Sequence, residues 1–384
     1  MLRIRSCVHA ITDPYGNFLP TLLYHDVRDR LSGRRASANA RWGWLSRPAQ
    51  AGKLIWICSG SSRRSVRLGV ELARAIVAKR LDVMVTLTFE TEFPDLLAPL
   101  ARSVRIDWGF GPADYVGSID ALWRRLVPFA IVIAGVTPRR NLLRVAAIAR
   151  HALLVAPPRA IAGGFERIYP AHAAPCPGAS NAPASDLDIL LTQAQVEPTL
   201  ATDINGSLAR SLWWWHGADV TQALQFVALF RGHLPGDLLF LSGPVCTEIL
   251  DVPGKIQRLS TWERAPVAED TLLLADEARW IPELAACATA AHFATPDPDA
   301  LRQALAGGAV VSTAGAVDVA SPQLASTVGL FDDETDVALS WAALRADPTQ
   351  TRIARDASRR AFWSERRLAQ DVITELLDRV LKWT

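Results

Sequence analysis

The chain has 384 residues, and 50% of them are hydrophobic. A single hydrophobic core rarely extends over so long a chain, so the length predicts two domains of roughly 150 to 200 residues each. The formal net charge is only +2. So small a charge creates no strong overall field for nucleic acid, which we exclude as a partner, and recognition of an anion has to be local.

The five cysteines lie far apart in the chain, at Cys7, Cys58, Cys176, Cys246 and Cys287. They form no CxxC motif and no Cys/His cluster, so we expect no metal site. Scattered cysteines favour a reducing, cytoplasmic compartment. No apolar run approaches the length of about 20 residues that crosses a bilayer, and we expect neither a transmembrane segment nor a signal peptide.

Residues 1–50 are predicted to form a basic N-terminal segment. Its arginines and tryptophans include Arg28, Arg30, Arg34, Arg35, Arg41, Trp42 and Trp44. One interpretation is a mobile arm or an early helix. The other is a surface that lies against anionic lipid, because clustered arginines are attracted to anionic headgroups and tryptophan suits the membrane interface.

From residue 53 onwards, strands and helices alternate. Apolar runs predict strands at 54–58, 82–88, 103–107, 129–134 and 152–155. Helical spacing of apolar residues predicts helices at 66–79, 93–101, 119–126 and 141–150. This alternation is typical of a parallel, doubly wound α/β sheet, and we assign residues 51–165 to an N-terminal Rossmann-like domain.

A stretch rich in Pro, Ala, Gly and Ser follows, and we interpret residues 166–187 as a linker. Beyond it, strands are predicted at 188–191, 209–215, 238–241, 256–260, 271–274, 291–294, 309–312 and 327–330. Helices are predicted at 220–231, 282–287 and 299–306, and over most of 334–382. Residues 188–384 are therefore assigned to a second Rossmann-like domain with a helical C-terminus.

Arginine pairs follow two predicted strands of the first domain. Ser61, Ser62, Arg63 and Arg64 lie between a strand and a helix, and Arg139 and Arg140 have the same context. Backbone N–H groups at a helix N-terminus bind anions, and arginine adds bidentate hydrogen bonds to phosphate or carboxylate. The pairs therefore predict an anion site in one crevice, and the alternative is an ordinary capped turn with arginines facing solvent.

Three tryptophans and a histidine are consecutive at residues 213–216. Adjacent residues of a strand point to opposite faces, so we expect at least one of Trp213, Trp214 and Trp215 to be exposed or at a domain boundary. The alternative is that they pack in the core. His151, His216, His233 and His292 are isolated in the sequence, and we interpret each as structural.

Several segments resemble the Kdo (3-deoxy-D-manno-octulosonic acid) transferases of bacterial lipopolysaccharide synthesis. Residues 56–64 (WICSGSSRR) occupy the place of the family's W-I-H-A-x-S-V-G-E, and residues 86–92 (TLTFETE) that of T-T-x-T-x-T-G. Residues 134–142 (AGVTPRRNL) stand where the family has E-T-E-L-W-P-N-L. Arg159 matches the arginine of the family's N-A-R motif.

The C-terminal half resembles the same family more loosely. Residues 271–276 (TLLLAD), with Glu283 and Leu284, are similar to V-L-G-D-x-x-G-E-L, and residues 299–302 (DALR) fall at N-P-L-E. Residues 205–207 (NGS) resemble the G-S-T stretch that opens the family's second domain. The resemblance thus implies donor-binding residues at Asn205, Gly206, Ser207, Asp276, Glu283 and Arg302.

The resemblance implies a fold of the GT-B glycosyltransferase type, in which two Rossmann-like domains have parallel sheets that face each other across a cleft. The family's enzymes use a CMP-activated sugar and an anionic glycolipid acceptor, and they need no cofactor or metal. For this chain that implies an acceptor site at Ser61, Ser62, Arg63, Arg64, Arg139, Arg140 and Arg159. It also implies a cytoplasmic protein that is peripheral to the inner membrane.

The chain departs from the family at its acidic positions. Arg64 stands where the family has its general base, and an arginine cannot accept a proton. Gly135, Thr137 and Arg302 replace three further carboxylates. Glu90 and Glu92 are the candidates for a substitute base. The alternatives are a non-catalytic GT-B protein that binds a glycolipid or a partner enzyme, and another nucleotide-sugar enzyme of the same fold.

Overall fold

The computed structural model describes residues 13–45, 52–159, 164–171, 181–193, 196–197, 199–205, 210–249, 255–269, 271–315 and 322–384. The chain divides into two compact units. The first contains Met1–Asp188 and Gln370–Thr384, and the second contains Ile189–Ala369. Among the described residues, no helix is both long and apolar enough to cross a bilayer.

The first unit is a sheet of six strands with helices between them. Its strands are β1 (Lys53–Ser59), β2 (Val83–Phe89), β3 (Ile106–Phe110), β4 (Ala130–Ala134), β5 (His151–Val155) and β6 (Arg167–Tyr169). Its helices are α1 (Leu19–Leu31), α2 (Arg35–Arg41), α3 (Arg63–Lys79), α4 (Pro94–Leu97), α5 (Val116–Leu126) and α6 (Arg140–Ile148). A short 3-10 turn covers Ala98–Arg102, and a second one, Leu187–Leu191, spans the division of the chain between the two units.

All strand pairs of this sheet are parallel, in the order β3-β2-β1-β4-β5-β6. This is the order of a Rossmann domain, with its reversal between β1 and β4. Strands β2 and β4 are buried along their whole length, because helices cover both faces of a parallel sheet. Their apolar side chains therefore read as continuous runs in the sequence.

The second unit repeats this architecture. Its strands are β7 (Leu212–His216), β8 (Leu238–Ser242), β9 (Ile256–Arg258), β10 (Leu272–Ala275), β11 (Ala290–Phe293), β12 (Val310–Thr313) and β13 (Val328–Leu330). Its helices are α7 (Thr199–Asn205), α8 (Val220–His233), α9 (Val245–Glu248), α10 (Ile281–Cys287), α11 (Pro298–Gly307), α12 (Pro322–Thr327), α13 (Glu334–Ala346) and α14 (Pro348–Lys382), whose last residues belong to the first unit.

The seven strands are also parallel, in the order β13-β12-β11-β7-β8-β10-β9. The order reverses on either side of β7, so the crevice of this sheet lies between β7 and β11. Two parallel, doubly wound sheets are what the alternating sequence pattern predicts, and this prediction is confirmed. One predicted element is wrong, because residues 188–191 form part of a 3-10 turn instead of a strand.

We expected at least one tryptophan of the triplet to be exposed or at a domain boundary, and exposure is wrong. Trp213, Trp214 and Trp215 each have 0% of their surface exposed. Strand β7 is central, so both of its faces are covered. Trp213 and Trp215 pack into one apolar cluster, while Trp214 points to the other face and donates a hydrogen bond to Ser242 Oγ at 2.7 Å. All three tryptophans therefore belong to the hydrophobic core of the second unit.

Helix α13 supplies the aromatic partner of this core. The Trp341 ring stacks on Trp213 at 5.2 Å between centroids and meets Phe226 edge-on at 5.0 Å.

We predict that Trp341→Ala lowers the free energy of unfolding by about 3–5 kcal/mol, the cost of emptying a buried aromatic site. Chemical denaturation followed by circular dichroism measures it. Trp363→Ala, on a side chain that is 43% exposed, is the control. Equal losses in both variants would contradict this account of the core.

Candidate functional site

In the first unit, polar side chains gather where β1, β2 and β4 end. Ser59, Thr88, Glu90, Thr137 and Arg139 line a narrow pocket of about 40 Å³. Each follows or closes an apolar run, and the carboxyl ends of parallel strands lie at one edge of the sheet. The pocket is thus at the crevice where a Rossmann-type sheet binds ligands.

Glu90 is the carboxylate of this pocket that is held by an arginine. Its Oε1 accepts a hydrogen bond from Arg139 at 2.8 Å, and Arg139 also donates to Asp13 Oδ2 at 2.8 Å. Burial raises the pKa of Glu90, and Arg139 only partly offsets this effect. A carboxylate with a raised pKa is a better proton acceptor than an exposed one. Glu92, the other candidate, is exposed on the loop that follows.

Asp114 is a pocket residue that the sequence reasoning missed. Its Oδ1 accepts hydrogen bonds from the backbone N–H groups of Asn141 at 3.0 Å and Leu142 at 3.2 Å. It therefore caps α6 from a distant part of the chain. Burial raises its pKa as well. No local signal marks Asp114, because the helix that it caps begins 26 residues later, at Arg140.

The Ser-Arg turn after β1 is engaged within the unit. Ser62 caps α3 by accepting from the Ser65 N–H at 3.2 Å. Arg63 forms an ion pair with Asp95, and Arg64 forms one with the buried Asp188. Ser61 is exposed beside them. The turn has the strand-to-helix context that was predicted, and its arginines have carboxylate partners.

The remaining predicted acceptor residues have separate surroundings. Arg140 is exposed and lines a wide cavity of about 690 Å³ together with Asn17, Tyr115 and Arg144. Arg139 belongs to the narrow pocket of Glu90. Arg159 is exposed after β5. An anion site that joins the two arginine pairs stays a prediction.

In the second unit, Asp276 is the one predicted donor residue that, among those the structure describes, lies at a strand's carboxyl end. It follows β10, accepts from the Ser260 N–H at 3.1 Å and from the Ser260 hydroxyl, and lies 3.8 Å from Arg258. Glu283 is on α10, with Arg264 at 4.0 Å. Arg302 is on α11 and pairs with Asp299 at 2.8 Å.

Asn205 lies near the amino ends of the strands, at the opposite edge of the sheet from Asp276. It ends α7 and exchanges hydrogen bonds with Arg210, just before the amino end of β7. Gly206 and Ser207 lie outside the described residues.

A polar cluster that the sequence reasoning missed stands at the crevice of the second sheet. His216 ends β7, and its Nδ1 lies 2.7 Å from Ser242 Oγ at the end of β8. Its Nε2 lies 3.6 Å from Asp297, just before α11, and Thr295 Oγ1 accepts from the Ala218 N–H at 3.2 Å. Burial lowers the pKa of His216, while Asp297 opposes the shift.

A sequence signal for this cluster exists. His216, Ser242 and Thr295 are each among the first polar residues at the end of a buried strand, where a parallel sheet places its ligand-binding side chains. His216 is isolated in the sequence because its partners, Ser242 at the end of β8 and Asp297 before α11, come from distant segments. Among the described residues, no group of three or more His, Cys, Asp and Glu side chains could hold a metal ion.

Comparisons with known proteins identify the fold. No protein-family model matches the chain, and no curated protein matches it in sequence. Among solved structures, a protein from Listeria monocytogenes assigned as a UDP-N-acetylglucosamine 2-epimerase has a TM-score of 0.57 at 10% identity, covering 87% of this chain and 98% of that one. UGT2 of Phytolacca americana, complexed with UDP-2fluoro-glucose and pterostilbene, has a TM-score of 0.52 at 10% identity, with 86% of this chain and 99% of that one covered.

A third similar structure is the UDP-GlcNAc 2-epimerase of Neisseria meningitidis, which was solved with UDP-GlcNAc bound. Its TM-score is 0.51 at 9% identity, and 84% of this chain and 100% of that one are covered. The protein therefore has a two-domain α/β fold of the GT-B type, as predicted. At such identities the similarity establishes the fold and leaves the chemistry to the site.

The environment of Glu90 predicts a pH-dependent effect on stability. Since its pKa is raised in the folded state, the folded protein holds this proton more tightly than the unfolded chain. The stability contributed by protonated Glu90 is full below the unfolded pKa and is lost as pH rises through the folded pKa. We predict that Glu90→Gln becomes more stabilising, relative to the unmodified protein, as pH rises from about 4 to about 7.

The matched control has the opposite sign. Arg63 lowers the pKa of Asp95, so the stability contributed by ionised Asp95 is full above the unfolded pKa and is lost as pH falls through the folded pKa. Asp95→Asn should therefore be destabilising by a nearly constant amount from about pH 4 to about pH 7, and its effect should shrink only at lower pH. Denaturation midpoints of the three proteins at several pH values measure both trends. If Glu90→Gln became less favourable with rising pH, the ionised Glu90–Arg139 pair would be net stabilising and our account of the pocket would be wrong.

Proposed function

We propose that the protein is a divergent glycosyltransferase of the Kdo-transferase type, which transfers a sugar acid from a CMP-activated donor to an anionic glycolipid in surface glycan synthesis. The observation that carries the proposal is Glu90, a carboxylate with a raised pKa in a narrow pocket at the crevice of the first sheet. The GT-B fold and the sequence resemblance support it. No bound cofactor is required.

Glu90 is the proposed general base. In transfer, the acceptor hydroxyl attacks the anomeric carbon of the donor, the bond to the nucleotide breaks, and the hydroxyl proton passes to a base. Arg139 fixes the position of the Glu90 carboxylate through one oxygen at 2.8 Å. Thr137 lines the same pocket and offers its hydroxyl group to an acceptor sugar, while the buried Thr88 Oγ1 accepts from the Trp56 indole N–H at 2.9 Å. Arg139 and Arg140 would attract its anionic groups.

The proposed donor site is the crevice of the second sheet. His216, Ser242 and Asp276 lie at the carboxyl ends of β7, β8 and β10, and Thr295 lies just past the end of β11. The nucleotide sugars bound in the Phytolacca and Neisseria structures, UDP-2fluoro-glucose and UDP-GlcNAc, contain UDP. CMP and UDP each carry a small pyrimidine base. A thermal-shift series with CMP, UDP, GDP and ADP identifies which nucleotide binds, because a bound nucleotide stabilises the folded state.

The activity test uses the donor identified by that series, beginning with CMP-Kdo and a lipid A precursor. We predict that Glu90→Gln lowers the rate of transfer by roughly 10²- to 10⁴-fold, the usual cost of losing a general base. The amide keeps the shape of the side chain and removes its ability to accept a proton.

Glu92→Gln, two residues away on the exposed loop, is the matched control and should retain its rate. Equal rates in both variants and the unmodified protein would refute the assignment of Glu90. Glycolipid binding without turnover in any of them favours the second candidate, a non-catalytic GT-B binding protein. The replacement of family carboxylates by Arg64, Gly135, Thr137 and Arg302 favours that alternative.

We also propose that the first unit contacts the inner membrane through α1. One side of this helix is anchored, since Leu22 and Asp29 are buried and Asp29 pairs with Arg41. The other side presents a row of exposed apolar side chains, at Phe18, Leu19, Leu23, Tyr24, Val27 and Leu31. Leu19, Leu23, Val27 and Leu31 recur every four residues and so share a face.

Basic side chains flank this apolar row. Arg28, Arg34 and Arg35 are exposed, and Trp44 is 63% exposed with Arg125 over its ring at 5.1 Å. An apolar helix face with arginines beside it and a tryptophan nearby is typical of a helix that lies in the plane of an anionic membrane surface. Membrane contact through α1 would bring the protein to a lipid-linked acceptor.

We predict that the protein sediments with vesicles containing anionic phospholipid and that the double variant Leu23→Asp with Val27→Asp abolishes this binding. Two carboxylates on the apolar row oppose both insertion and the anionic surface. Val104→Asp, at a side chain 76% exposed just before β3 and outside the apolar row of α1, is the control and should leave sedimentation unchanged. Equal vesicle binding by all three proteins would exclude α1 as the contact.

A further inference from the structure

A second concentration of arginines lies in the second unit, at the opposite edge of the sheet from His216. Ser211 and Thr289 precede the amino ends of β7 and β11, and they line a cavity of about 260 Å³. The end of α13 and the beginning of α14 close it. These helices contribute four guanidinium groups, at Arg345, Arg352, Arg355 and Arg359. Neither the resemblance nor the proposed transfer uses this cavity.

The arrangement follows from the sequence of α14. Residues 352, 355 and 359 are spaced three and four apart, so their side chains share a face of the helix. Arg345 joins them from the last turn of α13. Four cations that the fold holds in one cavity repel one another unless opposite charges lie between them.

The local carboxylates compensate only part of this charge. Asp237 pairs with Arg345 at 3.0 Å and also accepts from the Ser211 N–H and the Trp213 indole N–H, so its oxygens are occupied. Asp356 lies 3.9 Å from Arg359. Within the described part of the chain, Arg352 and Arg355 form no ion pair. Four cations and two carboxylates leave an excess of two positive charges.

Backbone contacts hold two of these side chains in place. Arg355 Nε donates to the Gly308 carbonyl at 2.9 Å, and Arg359 donates to the Gly307 carbonyl at 3.1 Å, at the end of α11. Each contact uses one of the five N–H donors of a guanidinium group. The other donors stay available to the cavity, and arginine cannot lose its charge to relieve the repulsion. Burial and the neighbouring Arg359 accordingly lower the pKa of Arg355.

We infer that this cavity is a binding site for a phosphate-class dianion, either inorganic phosphate or a phosphomonoester. A dianion matches the excess of two positive charges, and phosphate oxygens accept the bidentate hydrogen bonds that guanidinium groups offer. The volume is below the roughly 300–1,000 Å³ of pockets for drug-sized ligands, which suits a small anion. The site is separate from the donor crevice, because it lies at the amino ends of the strands.

The test titrates the full-length protein with inorganic phosphate, at constant ionic strength set with sodium chloride, and measures binding by calorimetry. We predict that Arg352→Gln weakens phosphate binding roughly 10- to 100-fold, as expected for the loss of hydrogen bonds to a charged group. Arg352 is exposed, so its replacement should not unfold the protein. Arg355→Gln should have at least as large an effect, and circular dichroism verifies its folding.

Arg360→Gln, on the same helix but outside the cavity, is the matched control and should bind phosphate normally. A parallel titration with AMP distinguishes a phosphomonoester from free phosphate. Equal affinity of Arg352→Gln and Arg360→Gln would overturn the proposal and assign any binding to another site, such as the donor crevice. No heat beyond that of sodium chloride alone would overturn it as well. Neither outcome depends on glycosyl transfer.

Discussion

The covering of a parallel sheet on both faces is the constraint on which both candidate sites depend. Helices pack on each side, so a central strand has no solvent-facing row in which a polar side chain could be hydrated. The first place for such a side chain is the end of the strand. Ser59 and Glu90 in the first unit and His216 and Ser242 in the second all occur there. The candidate site residues are therefore concentrated where β1, β2, β7 and β8 end.

Within that constraint, the first unit balances charge locally. Arg139 lies between Glu90 and Asp13, at 2.8 Å from each, and Arg63 and Arg64 each have a carboxylate of their own. An incoming anion has to compete with these carboxylates for the arginines. Glu90 shares Arg139 with a second acid, and its burial outweighs the attraction that remains, which is why its pKa rises. The cavity of α14 differs, because two of its arginines have no such partner.

The sequence predicted the fold well, since periodicity and alternation reflect the same burial that shapes a parallel sheet. The strand at 129–134 and the helix at 66–79 are in place within a few residues. The site was predicted less completely, because its contacts join distant segments. His216 meets Asp297, and Asp114 caps a helix that starts 26 residues later at Arg140. The expectation of an exposed tryptophan assumed that one face of the strand meets solvent, and helices cover both faces of β7.

The departures from the family pattern also have structural reasons. Gly135 has φ +65°, and a Cβ there would lie 2.9 Å from the Ser65 backbone, so no carboxylate can replace it without moving the turn. Arg64 neutralises Asp188, whose side chain is only 6% exposed.

A glutamate at position 64 would therefore face Asp188 with a like charge, and the buried carboxylate would lose its partner, which is strongly destabilising for a buried pair. Restoring the family's acid at this position alone could not restore the family's base, because Asp188 would have to change with it. The surroundings of positions 64 and 135 are adapted to the residues that this chain has. If the protein transfers a glycosyl group, its base has to come from a different strand, and β2 provides Glu90.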